Sequence, residues 1–237
     1  MSLVRREETW RIVEDLLQNM SFTLSGGSNV WTDNLDGTFT LLLCKTYWLE
    51  TQETITINSV DYSIIEVVKD TSVTITSISA PLLNTFTIDA PNFYSGTIIQ
   101  TNLELSQDSK DVSARTPMAY LFRDIEDTFL PLDSVIERET PIRLFFLDDE
   151  NFADMSSESN SDEVLEPMRQ MAYYFVNEIL EKNKKIGKLD ANYSIRDYSK
   201  FGVENASGYT ENIFNDQLSG VELSITIPIL RDYTCGC

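Results

Sequence analysis

Four stretches of this chain carry residue types that do chemistry. Thr32-Asp33-Asn34-Leu35-Asp36-Gly37 offers the oxygen ligands of a calcium loop. Setting Gly37 at the turn glycine of such a loop leaves Thr32 at the first ligand position and Leu43 where a bidentate glutamate is required, so the stretch reads as an Asp-Gly hairpin turn of type I′. Asp148, Asp149, Glu150 and Asp154 follow an apolar run, where carboxylates bind Mg²⁺ or Ca²⁺ or serve as an acid/base pair. A run of like charge is more often a solvated loop, and that is the expectation here. Tyr173, Tyr174 and Phe175, with Tyr193, Tyr198 and Tyr209, have the faces on which nucleobases stack. Without a basic groove they read as core or subunit contacts. Cys235 and Cys237 form a Cys-Gly-Cys tail, but a lone pair cannot complete a four-ligand zinc site, and Arg231 is the one cation near enough to stabilise a thiolate.

Histidine is absent, which removes His-based triads, the commonest general base and His-ligated metals. Glycosidase chemistry needs only two carboxylates, yet no spacing singles out a pair. No catalytic residue, metal ligand or cofactor site is assigned, and the expectation is a protein without enzymatic activity.

The charge balance is one-sided, with 18 Lys+Arg against 38 Asp+Glu and a formal net charge of −20. Such a surface supplies none of the counterion release on which duplex binding depends, so tight nucleic-acid binding is not expected. It gives solubility, or a surface past which DNA slides without sticking. With 42% hydrophobic and 11% aromatic residues the chain can bury a core. No apolar run approaches a membrane span, and the start, MSLVRREETW, shows no signal segment. The Asn-x-Ser sequons at Asn19, Asn192 and Asn205 are read as chance matches, Cys44 as a buried inert thiol, and the chain as reduced and intracellular.

Hydrophobic period places the elements that must position these residues. Ile12, Val13, Leu16, Leu17 and Met20 give a helix over residues 7–20. From Trp31 to about Leu105 short β-branched runs separated by turns, Asn58–Asp61 among them, predict a small β-barrel or sandwich. The polar segment 106–117 is the expected boundary between an N-terminal module, 1–110, and an α/β module, 111–237. In the second module the spacing predicts a helix over Met118–Phe129 and a strand covered on both faces over Pro141–Asp148. A long amphipathic helix follows over Asp162–Lys185, with the stripe Val164, Met168, Met171, Phe175 and Ile179. Pro167 permits a start as late as Glu166, and Gly187 is the expected stop. Residues 192–205 read as a strand. The final strand alternates Val221, Leu223, Ile225 and Ile227, inward, with Glu222, Ser224 and Thr226, facing water or a neighbour, and Pro228 places its end at a sheet edge. The fold class is α+β, an antiparallel sheet packed on the long helix plus the β-rich module.

From about Met118 onward the chain resembles the tail-completion or tail-terminator proteins of tailed bacteriophages. The resemblance rests on PIRLFFLD, on VLEPMRQMAYYFVNEILEK and on NIFNDQLSGVELSITIPIL, and covers about the last half of the chain. An Arg-x-apolar-x-apolar strand falls at Arg143–Leu147, and a strand led by an Asp and a Gly falls at Asp216, Gly220 and Val221–Ile227. The β-rich first half departs from the compact members of that family and implies an added domain. The resemblance implies a virion structural protein that forms a homo-oligomeric ring in the neck or tail. DNA would pass through its lumen without sticking, and portal, neck or tail proteins would be its neighbours, with the host cytoplasm its location before assembly. The implied subunit interface takes in Asp216, Gly220, Glu222, Ser224 and Thr226. The other expectation is a monomeric bacterial adaptor with an acidic surface.

Overall fold

A computed structural model describes residues 8–49, 54–97, 99–101, 116–123, 125–151, 153, 156, 159–189, 192–201, 203–206, 209–212 and 217–231, without side chains at 203–206 and 209–212. Helix and strand are mixed, with strand predominant. The chain divides into two compact units, Met1–Gln18 with Pro91–Cys237, and Asn19–Ala90. The first helix and the strand at Asn92–Gly96, expected in an N-terminal module, thus belong to the unit that holds the C-terminal sheet. Of the polar segment 106–117, residues 106–115 lie outside the described residues.

The regular elements of Asn19–Ala90 among the described residues are all strands. Strands β2 (Thr32–Asp33), β3 (Thr38–Leu42), β4 (Thr54–Ile57), β5 (Val60–Val68) and β6 (Ser72–Thr76) form an antiparallel sheet in the order β2-β3-β6-β5-β4. Strands β1 (Phe22–Ser25) and β7 (Thr85–Ile88) make a separate antiparallel pair. Period-2 patterning drives burial of Phe39 and Leu41, Ile55 and Ile57, and Val73 and Ile75. The expected barrel is not closed. Closure needs the two edge strands to bond each other, and edge strand β2 offers only two residues.

Two local expectations change here. The Asp36-Gly37 turn is a four-residue loop, Asn34–Gly37, with φ of 62° at Leu35 and 86° at Gly37. The two-residue turn lies instead at Asn58–Ser59, where both residues have positive φ and Ile57 pairs with Val60. Cys44 is exposed rather than buried, because it falls on the outward phase of the alternation that buries Leu41 and Leu43.

The other unit centres on a six-stranded sheet in the order β12-β15-β11-β9-β8, with β10 also pairing β11. Its strands are β8 (Asn92–Gly96), β9 (Met118–Phe122), β10 (Thr128–Phe129), β11 (Ile136–Asp149), β12 (Ser194–Phe201) and β15 (Leu218–Leu230). A two-stranded ribbon, β13 (Val203–Ala206) with β14 (Tyr209–Asn212), lies between β12 and β15 in the chain. All pairings are antiparallel except β8 with β9. β11 and β15 share the longest ladder, from Ile136↔Leu230 to Asp149↔Leu218. On one sheet face Val221, Leu223 and Ile225 stand opposite Phe146, Leu144 and Ile142. Helical residues cover that face, and Phe146 meets Phe175 edge-on with ring centroids 6.1 Å apart. Helix α1 (Thr9–Gln18) buries Ile12, Val13, Leu16 and Leu17 in the same unit, and its Thr9 hydroxyl donates to Asp127 (3.1 Å).

Three corrections follow in this unit. The helix expected over Met118–Phe129 is replaced by two strands, β9 and the short β10. Met118, Ala119, Tyr120 and Leu121 are all buried because both sheet faces are covered there, and a strand of that kind shows no alternation to set it apart from a helix. The helical run over Asn160–Leu180 is α-helical only in α2 (Glu166–Tyr174), between π-helical turns at Asn160–Leu165 and Phe175–Leu180. Pro167 has no N–H to donate back along the helix, and its ring crowds the preceding carbonyls, which the wider turn before it relieves. Gly187 is not the helix stop but part of the sheet: its N–H donates to the Pro228 carbonyl (2.7 Å), and the Leu230 N–H to the Lys185 carbonyl (2.9 Å). The N–H that Pro228 lacks faces this side, so the β11 ladder loses nothing. Among the described residues no helix is long and apolar enough to cross a membrane.

Candidate functional site

The final strand β15 carries the candidate residues, and alternation divides its side chains between two environments. Val221, Leu223, Ile225 and Ile227 are buried on the helix-covered face, as the sequence pattern requires. Gly220, Glu222, Ser224 and Thr226 lie on the opposite face, opposite Leu147, Phe145, Arg143 and Pro141 of β11. Asp216 lies outside the described residues. Thr226 is exposed and Ser224 half-buried, but Glu222 is only 5% exposed.

This opposite face has an aromatic layer of its own. Met118 and Tyr120 from β9, Phe145 and Leu147 from β11, Phe201 from β12 and Leu218 from β15 form one buried cluster, with Tyr94, Phe122 and Tyr198 packed against it. Phe145 lies 4.9 Å from Phe201 and 5.6 Å from Tyr120, ring centre to ring centre. The Tyr120 hydroxyl donates to the Gly96 carbonyl (3.1 Å), and burial pushes its pKa up to about 12. It is a structural phenol, ionised at no ordinary pH.

Glu222 sits at the rim of that cluster and is fully engaged. Its carboxylate accepts from Arg143 Nε, from the Tyr198 hydroxyl (2.7 Å) and from the Ser224 hydroxyl (3.0 Å). Arg143 is half exposed and reaches in from β11, its guanidinium also over the rings of Phe122 and Phe145. Burial alone raises a carboxylate pKa. Here the three hydrogen bonds and the charge of Arg143 outweigh it, and Glu222 ends below its ordinary value. The same contacts raise Arg143, chiefly through its bond to Glu222, while burial and then the Glu222 carboxylate raise Tyr198. A carboxylate so held is a poor proton donor. The expected outward-facing Glu222 is therefore corrected: it ties three strands together within the chain, because β12 and β11 bring Tyr198 and Arg143 to either side of it.

A pH dependence follows. A group whose folded pKa is depressed stabilises the fold fully above its unfolded value, about 4.3 for glutamate, and loses that contribution as pH falls through the lower folded value. Glu222→Gln is expected to lower the melting temperature at pH 7 and to flatten the loss of stability below about pH 4.3. Melting curves between pH 3 and pH 8 check this, and parallel acid limbs in the two proteins would contradict it.

Gly220 is required by close approach. A Cβ built there lies 2.0 Å from the Phe146 carbonyl oxygen and 2.9 Å from Leu147 Cα.

The other sequence candidates are not brought together. Asp33 accepts from the Leu35 N–H (2.8 Å) and Asp36 from the Thr38 N–H (3.0 Å) and hydroxyl (2.6 Å), so both carboxylates hold the hairpin loop. Asp148 accepts from the Asp149 N–H, Asp149 from Thr116 and Glu150 from Asn160. Asp154 lies outside the described residues. Among the described residues no three His, Cys, Asp or Glu are placed to hold a metal. Phe175 and Tyr198 lie on opposite faces of the sheet and Tyr173 is exposed, so the aromatic group is no stacking platform; the Tyr209 side chain, Cys235 and Cys237 lie outside what is described. Sequence reasoning missed Arg143 and Tyr198 as partners of Glu222. The available signal was weak: three polar residues at outward phases of three strands.

No protein-family model, no curated protein and no solved structure matches this chain.

Proposed function

We propose that this chain is a non-enzymatic structural protein of a tailed-phage virion. Copies of it form a ring in the neck or tail, next to other neck, portal or tail proteins, and DNA passes through the lumen. The observation that carries the reading is the six-stranded sheet, which ends on β12, an exposed eight-residue edge strand with no further strand on its outer side among the described residues. Such an edge is a template for another chain. Two further features support it. The net charge of −20 repels a passing duplex, and among the described residues the carboxylates of Asp33, Asp36, Asp148, Asp149 and Glu150 are engaged in hydrogen bonds within the chain.

A monomeric adaptor is the second reading, favoured by exposed Leu42 and Val68, which flank Ser72 on the sheet of the Asn19–Ala90 unit. Sedimentation of the purified chain separates the two. A ring-former sediments far above 27.0 kDa at moderate concentration, and a chain that stays at 27.0 kDa over a wide concentration range overturns the ring.

A further inference from the structure

We propose that Arg143 and Arg196 form an oxyanion-binding site on the sheet face opposite α2, and that it takes the carboxylates of an acidic segment of a partner protein. The pair serves a ring subunit and a monomeric adaptor alike.

Strand β15 runs between the two arginine strands. Arg143 of β11 stands across from Ser224, and Arg196 of β12 stands across from Glu222. Alternation therefore puts both on the face of Glu222 and Phe145. With neighbouring strands about 4.8 Å apart, the two arginine strands lie about 10 Å from each other, within the joint reach of two such long side chains. Tyr198 touches both heads. The Arg196 guanidinium lies 5.1 Å from the centre of its ring, and Arg143 reaches its hydroxyl.

Neither guanidinium is used up within the chain. Arg143 gives its Nε to Glu222, yet its side chain stays 50% exposed, and a guanidinium carries five N–H donors. Arg196 is exposed and, unlike Arg169 and Lys182, enters no ion pair among the described residues. Both heads rest on aromatic rings, Arg143 at 5.4 Å from Phe122 and 5.5 Å from Phe145. A guanidinium placed in this way loses little freedom when it binds.

The charges around the pair select the ligand. Glu222 lies between the arginines, and half-buried Glu139 stands four positions along β11 from Arg143. Asp197 takes the other face, bonded to Arg169, and Lys200 lies past the irregularity in the β12–β15 pairing. Strands β8, β9 and β10 bear no charged residue, and Arg123, just past β9, lies over Trp10 instead. Arg143, Arg196 and Glu222 together leave one positive charge, enough for one more carboxylate held as Glu222 is held. The field of a chain with net charge −20 opposes every polyanion at long range, so recognition rests on short, forked contacts. A duplex draws its affinity from counterions displaced by many cations, and two arginines do not supply that.

The test measures the fluorescence anisotropy of a fluorescein-tagged hexaglutamate peptide with the full chain at low salt. Arg196→Gln is expected to weaken binding about tenfold, the worth of one hydrogen-bonded charge. Arg143→Lys keeps a charge and a donor for Glu222 but loses the fork, and is expected to weaken binding about threefold or more. Lys184→Gln removes the same charge from an exposed position elsewhere and leaves binding within about twofold. Among the described residues Arg196 makes no hydrogen bond or ion pair, so its variant keeps the fold and carries the test should Arg143→Lys not fold. A wild type that does not bind the peptide, or an equal loss in Arg196→Gln and Lys184→Gln, overturns the site. A short DNA duplex bound more tightly than the peptide through the same arginines overturns the acidic partner.

Discussion

Gly220→Ala is expected to unfold the unit that contains the six-stranded sheet. The added methyl would lie 2.0 Å from the Phe146 carbonyl oxygen and 2.9 Å from Leu147 Cα, and neither neighbour is a flexible side chain that can swing away. Both belong to β11, which is bonded to β15 over its whole length and to β9 on the other side. Relief therefore requires moving the β11–β15 ladder itself. The cost is about 4 kcal/mol or more, the range in which overpacking and strain become exceptional, against a total stability of about 5–15 kcal/mol. Gly37→Ala provides the contrast. Gly37 has open space around its Cα and a φ of 86°, so only the left-handed backbone is penalised, at about 1–2 kcal/mol. Thermal melts by circular dichroism measure both. A Gly220→Ala protein that melts within a few degrees of wild type would show that β15 does not approach β11 as closely as described.

The value of that glycine was only partly legible. Its place before the alternating run Val221–Ile227 marked it as a turn or pattern residue, but the reason for it lies on β11, more than seventy positions earlier in the chain. The same limit explains Glu222. Alternation assigns it correctly to the face opposite Leu223, yet says nothing about what else stands on that face. Phe145 stands directly across from it on β11, and Arg143 and Tyr198 close on its carboxylate from β11 and β12. A period-2 pattern reports which face a residue takes, and exposure depends on whether that face is covered.

The misread helix at Met118–Phe129 has a related cause. Met118, Leu121 and Phe122 fall at helical spacing only because every residue from Met118 to Leu121 is apolar or aromatic, as a strand covered on both faces demands. Pro141–Asp148 is the same kind of strand and was legible because its apolar run is short and continuous, bounded by Pro141, which discourages a helix, and by Asp148. The grouping of α1 with the C-terminal sheet rests on long-range contacts such as Thr9 with Asp127, 118 residues apart, which no local pattern carries.

Leu223→Asp is expected to be as destructive as the glycine change, by a different route. Leu223 has no exposed surface and stands between Leu144 of β11 and Ile195 of β12, on the face that the α2 helix covers. Removing the leucine side chain alone costs about 2–5 kcal/mol. Placing a carboxylate there adds the desolvation of a charge, and no Lys or Arg stands directly across from it on either neighbouring strand. The group would stay folded only by taking up a proton, with a pKa far above its ordinary value. At pH 7 the total exceeds what a domain of ordinary stability can absorb. The matched control is Thr226→Asp, three positions along the same strand but exposed on the other face, where a surface change stays within about 0.5 kcal/mol. Denaturant unfolding of both proteins reads the outcome. Loss of the native baseline in Leu223→Asp beside a wild-type midpoint in Thr226→Asp fits the register of β15. Two equal midpoints would mean that the strand is slipped by one residue, since such a slip exchanges the two faces.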